Sequence, residues 1–318
     1  MKYLITGVTG FVGKHLAELL SKNGHTVSGL YRTYQEIENV NMLKCDLLDI
    51  NQIYDIFRNN KFDGVFNLAA QTHIPTAFNS PMDTFKVNTL STIGICDAIQ
   101  KYNPECILMH CSSGDVYGAY TEDTLIDETF PLLPNNPYAV SKASADLYVI
   151  ERFKNTGLKG FIVRPFSHTG PGRPARFSIS SDAIQIARII NGKQEPIIKV
   201  GNLDTKRAVM DVRDVVTIYS LLMEKTEREI SNNGEVYNIG GKNIYTMGYY
   251  LNTMIDIFNL SNIKQEIDPW LFRPIDSAVQ NPNTTKLSRV LNHKIHYDIK
   301  TTLRDLVDYW INMEQYER

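Results

Sequence analysis

The glycine-spaced run Gly7-Val8-Thr9-Gly10-Phe11-Val12-Gly13 stands directly after the apolar triplet Tyr3-Leu4-Ile5. That order constrains the chain more than any other feature. An apolar run, a sharp turn and the amphipathic stretch Gly13-Asn23 read as strand, turn and helix. Glycine suits each site for its own reason. The turn needs a permissive backbone, a bound group needs close approach, and the helix must pack near the strand. Backbone N–H groups and the positive end of the helix dipole then face whatever lies over the turn, which favours a phosphate.

The alternation continues through the first half of the chain. Apolar runs at Thr26-Tyr31, Gly64-Asn67, Cys106-Cys111 and Gly160-Arg164 are separated by the helix-like segments Asn51-Asn59, Met82-Tyr102 and Pro137-Thr156. Such alternation specifies a parallel sheet covered by helices, and right-handed crossovers make it doubly wound. The expected fold class is α/β, a doubly wound parallel (Rossmann) sheet with a smaller α/β substrate-binding lobe. Residues 1–165 read as the dinucleotide-binding domain and 166–318 as the lobe, with 205–225 packing back on the first. Phe166-Ser181, rich in glycine and proline, reads as a long functional loop. Val212-Glu224 and Thr246-Phe258 read as the main helices beyond it.

Composition narrows the partners. With 33 basic and 35 acidic residues the formal charge is -2, which argues against nucleic acid or a membrane surface as a general partner. No run of about 18 apolar residues occurs, so no membrane span is expected. Met1-Lys2 leads straight into a strand rather than a secretory signal, so the expected location is the cytoplasm. The four cysteines Cys45, Cys96, Cys106 and Cys111 lack zinc-like pairing and read as buried free thiols, with no metal site.

The end of the second strand bears on the cofactor. A dinucleotide fold often places an acid there for the adenine ribose. Here Tyr31 occupies that position, Arg32 follows, and no carboxylate comes before Glu36. An arginine suits a 2′-phosphate, so NADP is favoured over NAD, which stays as the alternative. Asp46-Leu47, after the apolar run Met42-Cys45, is placed to contact adenine. Leu68-Ala69-Ala70 offers small residues where the cofactor passes closely.

Tyr138-Ala139-Val140-Ser141-Lys142 puts a phenol and an ammonium four positions apart on one helical face. A phenol is a poor base near neutral pH because its pKa is about 10. A neighbouring ammonium favours phenolate and brings it into working range. Ser112-Ser113-Gly114-Asp115-Val116-Tyr117-Gly118 follows the apolar run Ile107-Met109, and a hydroxyl there can hydrogen-bond a sugar oxygen.

In this combination and order the chain resembles the extended short-chain dehydrogenase/reductase family of nucleotide-sugar epimerases, dehydratases and reductases. The resemblance covers nearly the whole chain. It implies that Ser113, Tyr138 and Lys142 form a catalytic triad, with Tyr138 exchanging a proton with the sugar C4 oxygen. It assigns Gly7, Gly10, Phe11, Val12, Gly13, Pro165 and His168 to the cofactor side, beside Tyr138 and Lys142. Ser167, Asn202, Arg207 and Arg273 fall to the substrate, the two arginines gripping the nucleotide diphosphate with guanidinium forks. It also implies a homodimer pairing Met82-Tyr102 with Pro137-Thr156.

Within that family, Phe166-Ser167-His168-Thr169-Gly170-Pro171-Gly172, Gly201-Asn202-Leu203-Asp204 and Asp211-Val212-Arg213-Asp214 are similar to the GDP-4-keto-6-deoxymannose reductases. The resemblance implies NADP(H)-dependent reduction at C4 of a GDP-linked sugar. A GDP-mannose 4,6-dehydratase is the main alternative and needs added acid and base groups. Resembling dehydratases carry glutamate where Asp115 stands, and some carry aspartate where Gly114 stands; both departures weigh against a dehydratase, while Asp115 stays a candidate catalytic base. A 4-epimerase or C4 dehydrogenase needs only the triad. A cofactor-sensing regulator without chemistry would be expected to lose the tyrosine or lysine, and both are here.

Overall fold

The computed structural model describes residues 1–120, 124–229, 233–272, 277–292 and 294–316. Its central sheet contains β1 (Lys2–Thr6), β2 (Thr26–Tyr31), β3 (Val40–Lys44), β4 (Gly64–Asn67), β5 (Ile107–Cys111) and β6 (Lys159–Pro165). A seventh strand, Val236–Ile239, pairs with β6 at one edge. The order from that edge is Val236–Ile239, β6, β5, β4, β1, β2, β3, and every pairing is parallel. The chain therefore winds outward in both directions from β1 and β4, as a doubly wound sheet does.

Side-chain alternation along the strands divides the core between two faces. Tyr3, Ile5, Phe66, Met109, Phe161 and Val163 point to one side, packing against Leu16, Ala17 and Leu20 of helix α1 (Phe11–Lys22). Leu4, Val65, Leu108 and Ile162 point to the other. There they meet Ile53 and Phe57 of α2 (Ile50–Asn59) and Ile95 and Ile99 of the helix Ser91–Tyr102. Both faces are covered, which is why the strands read as near-continuous apolar runs. Each such buried side chain is worth about 1.5–3 kcal/mol.

Between β4 and β6 lie α3 (Ile74–Asn79), α4 (Pro81–Phe85), α5 (Ser91–Tyr102) and α6 (Pro137–Asn155). The single helix expected over Met82-Tyr102 is interrupted, because Lys86–Leu90 is a π-turn. At its centre is Asn88, fully buried, whose side-chain amide donates to the Gln71 carbonyl at 3.0 Å and to Ser141 Oγ at 2.9 Å. The bond to Ser141 ties the turn to α6, and single π-turns of this kind recur inside helices at functional sites.

Beyond β6, the segment expected as a loop holds a short strand, His168–Thr169, paired with Met210–Asp211. It then enters α7 (Ser178–Ile190) three residues before the expected end. α8 (Val212–Arg228) places Val212, Val215, Tyr219 and Met223 in the same core as β1 and α1. A separate core joins Ile179, Ala183 and Ile186 of α7 to Met247, Tyr250 and Met254 of the helix Met247–Ile257. Leu303, Leu306 and Val307 of the helix Ile299–Tyr316 complete it. All four cysteines are free, three buried and Cys111 half-buried. Among the described residues no helix is long and apolar enough to cross a membrane.

Candidate active site

The glycine turn lies where the sheet order reverses. Gly7 has φ of 70°, open to glycine without strain, and the Gly10 amide closes the turn on the Gly7 carbonyl at 3.0 Å. A Cβ on Gly7 would stand 2.9 Å from Ala69 Cα, and one on Gly13 would stand 2.3 Å from the Gly7 carbonyl oxygen. The carboxyl ends of β1 and β4 are tied together beneath it. Thr6 Oγ1 donates to Asn67 Oδ1 at 2.8 Å and accepts from the Ala69 amide at 3.0 Å. Gly10 is the N-cap of α1 without a side-chain cap, and the first turn holds no acid. Those features fit a dinucleotide diphosphate: a cradle that any Cβ would fill, over helical N–H groups left for an anion.

The residues expected on the cofactor side are placed as follows. Leu68, Ala69 and Ala70 are half-buried beside it. Phe11 and Val12 open α1 and are half-buried. Arg32 is exposed just past β2. Asp46 and Leu47 are half-buried after β3, with the Asp46 carboxylate accepting from the Leu48 amide at 3.0 Å. Pro165 is buried at the end of β6.

The three residues of the expected triad converge. Asn136 caps α6 by accepting from the Ala139 amide at 2.9 Å, with Pro137 in the first turn, so Tyr138 enters the site at the helix start. One turn later the Lys142 ammonium donates to the Cys111 carbonyl at the end of β5. Ser113 caps the short 3₁₀ turn Gly114–Tyr117, accepting from the Asp115 amide at 3.2 Å. Tyr138, Lys142 and Ser113 are all buried.

Electrostatics set the resting protonation. Burial pushes the Tyr138 phenol well above its usual range, and the Asp115 charge pushes the same way. A hydrogen bond with Ser113 and the Arg173 charge pull it back. Burial lowers the Lys142 ammonium, opposed by Cys111 and Asp146. The resting site therefore holds a protonated phenol, ready to give its proton to an oxygen.

Asp115 is half-buried, and its carboxylate accepts from the Gln280 amide. Position 114 has no room for an acid. A Cβ there would lie 2.8 Å from the ring of Phe166. Beneath, Arg164 forks onto Asp146 with two bonds of 2.9 Å and donates to the Tyr117 hydroxyl at 2.8 Å. This buried pair locks β6, α6 and the 114–117 turn into one frame.

His168 stacks parallel to Phe11, their centroids 6.1 Å apart, with Nδ1 bonding to the Phe166 carbonyl at 3.0 Å. Burial, helped by Arg173, lowers its pKa to about 4, so the ring is neutral and its Nδ1–H donates. Ser167 is half-buried, its carbonyl accepting from the Met210 amide at 3.1 Å. Arg207 is buried on the strand Lys206–Arg207, where Nη1 donates to the Lys206 carbonyl at 2.8 Å. Asn202 does not join the buried set. It is exposed, and its side chain turns back to accept from the Asp204 amide at 2.9 Å, as an Asx turn does. Arg273 lies outside the described residues.

Three residues at the site escape the sequence reading. Asn88 is one, hidden in what reads as plain helix. Gln280 reaches Asp115 across 165 positions, which no local pattern reveals. Arg173 follows the glycine-proline stretch, and its guanidinium stands over Phe177 and Phe11.

Comparison with known proteins adds to this geometry. The family profile described as GDP-mannose 4,6 dehydratase matches residues 4–306. The GDP-6-deoxy-D-mannose reductase of Pseudomonas aeruginosa is 32% identical over 312 residues, covering 97% of each chain. A GDP-mannose 4,6-dehydratase of Vibrio cholerae is 30% identical over 246 residues, 72% of this chain and 66% of that one. Among solved structures, the Pseudomonas aeruginosa protein RMD complexed with NADPH superposes with a TM-score of 0.85 at 30% identity. That match covers 98% of this chain and 99% of the other.

Proposed function

The chain belongs to the GDP-mannose 4,6-dehydratase family of nucleotide-sugar enzymes, and on that premise we propose that it reduces a GDP-4-keto-6-deoxymannose-type sugar at C4 with NADPH. The observation that carries the choice of reductase is the packing at Gly114. The Phe166 ring against that position leaves an acid no room there, and Gln280 engages Asp115, which favours reduction over a C5–C6 elimination that needs added acid and base groups. Similarity to a reductase over 97% of the chain supports the same reading. A 4,6-dehydratase is the second reading, favoured by Asp115, whose charge acts on Tyr138.

The residues divide the work as follows. Gly7, Gly10 and Gly13 with the amide end of α1 hold the dinucleotide diphosphate, and Arg32 faces the 2′-phosphate. The hydride for C4 comes from the dinucleotide when it is bound. Ser113 holds the C4 oxygen by a hydrogen bond while the Tyr138 hydroxyl delivers the proton to it. Lys142, fixed on the Cys111 carbonyl, and Arg173, whose charge acts on Tyr138, supply the positive charge that favours the resulting phenolate. Neutral His168 lines the cleft against Phe11 without adding charge. Arg207, with Arg273, takes the substrate diphosphate. Exposed Met82 and Leu90 and, on α6, Val140 and Leu147 support a homodimer through these helices.

The test is the absorbance of reduced nicotinamide. Purified protein is mixed with NADPH, or with NADH in parallel, and GDP-4-keto-6-deoxymannose generated in place. Stoichiometric loss of signal with NADPH is expected. A flat trace, with GDP-mannose instead losing water, would replace the reductase by the dehydratase.

A further inference from the structure

We infer that Arg173 is an anion-binding residue of this site, placed to take a diphosphate oxygen between the glycine turn and Tyr138. Its guanidinium carbon lies 3.8 Å from the centroid of the Phe177 ring and 5.1 Å from that of Phe11. Two aromatic faces hold a planar cation while leaving its edge N–H groups unspent. The main chain is fixed as well. The Arg173 amide donates to the Gly170 carbonyl at 3.1 Å, and its own carbonyl accepts from Ser180 Oγ at 2.6 Å.

Both rings tie the cation to the site. Phe11 is the first residue of α1, directly after the uncapped Gly10. Phe177 lies edge-on to His73, 6.3 Å away, and His73 leads into α3, whose Ile74 and Ala77 pack with Tyr138. Among the described residues no carboxylate pairs with Arg173, and the other guanidinium acting on it, Arg176, adds repulsion. Burial, the larger effect, lowers its pKa to about 10, so it stays charged at neutral pH. Asp115, whose charge acts on Tyr138, is engaged by Gln280. A half-buried cation without a counter-ion is costly unless a ligand brings one.

The chemistry that fits is a diphosphate, which both ligands of the proposed reaction carry. Stacking on Phe11 places Arg173 by the dinucleotide's. This inference rests on the proposed reading of the site, so the test keeps the two apart.

Binding of NADPH, GDP and adenosine 2′,5′-bisphosphate is measured by calorimetry on the full chain and on its Arg173→Met and Arg173→Lys forms. Methionine keeps a stem between the rings, and lysine keeps the charge. Arg173→Met is expected to weaken NADPH by about tenfold or more, the scale of one charged hydrogen bond, while Arg173→Lys recovers most of it. Adenosine 2′,5′-bisphosphate, which lacks the diphosphate bridge, should bind all three forms alike. A loss confined to GDP would assign Arg173 to the substrate's diphosphate instead. Losses under about twofold for both diphosphates, or an equal loss for the bisphosphate, would overturn the inference. A parent chain binding neither NADPH nor GDP would overturn the proposed function, and the inference with it.

Discussion

Phe166 fills the space that a side chain at Gly114 would need, its ring atoms lying 2.8 Å from where a Cβ would stand. Phe166 is itself buried, in a cluster with Val116, Tyr117 and Ala143. It cannot withdraw without opening that cluster. Gly114→Ala is therefore expected to overpack the site and cost about 1–3 kcal/mol of stability. Urea unfolding of the two forms checks it. Equal midpoints would show that the ring yields freely, and the structural argument against an acid at 114 would go with it.

Tyr138 is buried, protonated at rest and bonded with Ser113. Replacing it by phenylalanine keeps the ring and removes the proton. Turnover of Tyr138→Phe should fall by about 10²–10⁴, the usual contribution of a positioned general acid. NADPH affinity should stay within about twofold, because the ring still packs on Ile74 and Ala77. Steady-state rates together with fluorescence titration separate the two quantities. Undiminished turnover would remove Tyr138 from the chemistry.

Much of this was legible in the residues, and the reasons are local. The turn at Gly7–Gly13 and the Tyr138–Lys142 spacing are written within one turn or one helix, so pattern reveals them. Strand periods in Thr26–Tyr31 and Gly64–Asn67 agree with the structure to the residue. What escaped depends on partners far along the chain. Val236–Ile239 is short, and only its pairing with β6 makes it the sheet's edge strand. The break at Asn88 coincides with a side-chain bond to Ser141, 53 positions away, which no local pattern reveals. Arg173 looks like a loop charge until two phenyl rings close on it.

Arg32 stands exposed at the end of β2, where Tyr31 takes the place of an acid. Its proposed role is to meet the 2′-phosphate, a group that NADH lacks. Arg32→Ala should weaken NADPH by about tenfold, near the worth of one charged contact, and leave NADH within about twofold. Titrating both cofactors against parent and variant gives the ratio directly. Equal losses would place Arg32 on a part common to both cofactors and reverse the preference assigned here.

His168 and Asp182 should bend the stability profile in opposite directions. Burial, with Arg173 assisting, lowers the His168 pKa to about 4, against about 6.5 for a free imidazole. The unfolded chain then binds the extra proton, so stability drops as pH falls from about 6.5 towards 4. Burial raises the Asp182 carboxyl on α7 to about 7, against about 3.9 when free. Here the folded chain holds the extra proton, so stability drops as pH rises from about 4 towards 7. In the parent chain the two slopes partly cancel. Asp182→Asn removes one of them, and its stability relative to the parent should grow with pH across that window, by on the order of 2 kcal/mol. His168→Gln should gain on the parent as pH falls from 6.5 to 4, the mirror image. Urea midpoints taken in half-unit steps give both difference curves. A flat curve for Asp182→Asn would mean that its carboxyl is solvated in the folded chain, and a flat curve for His168→Gln that its ring charges as freely folded as unfolded.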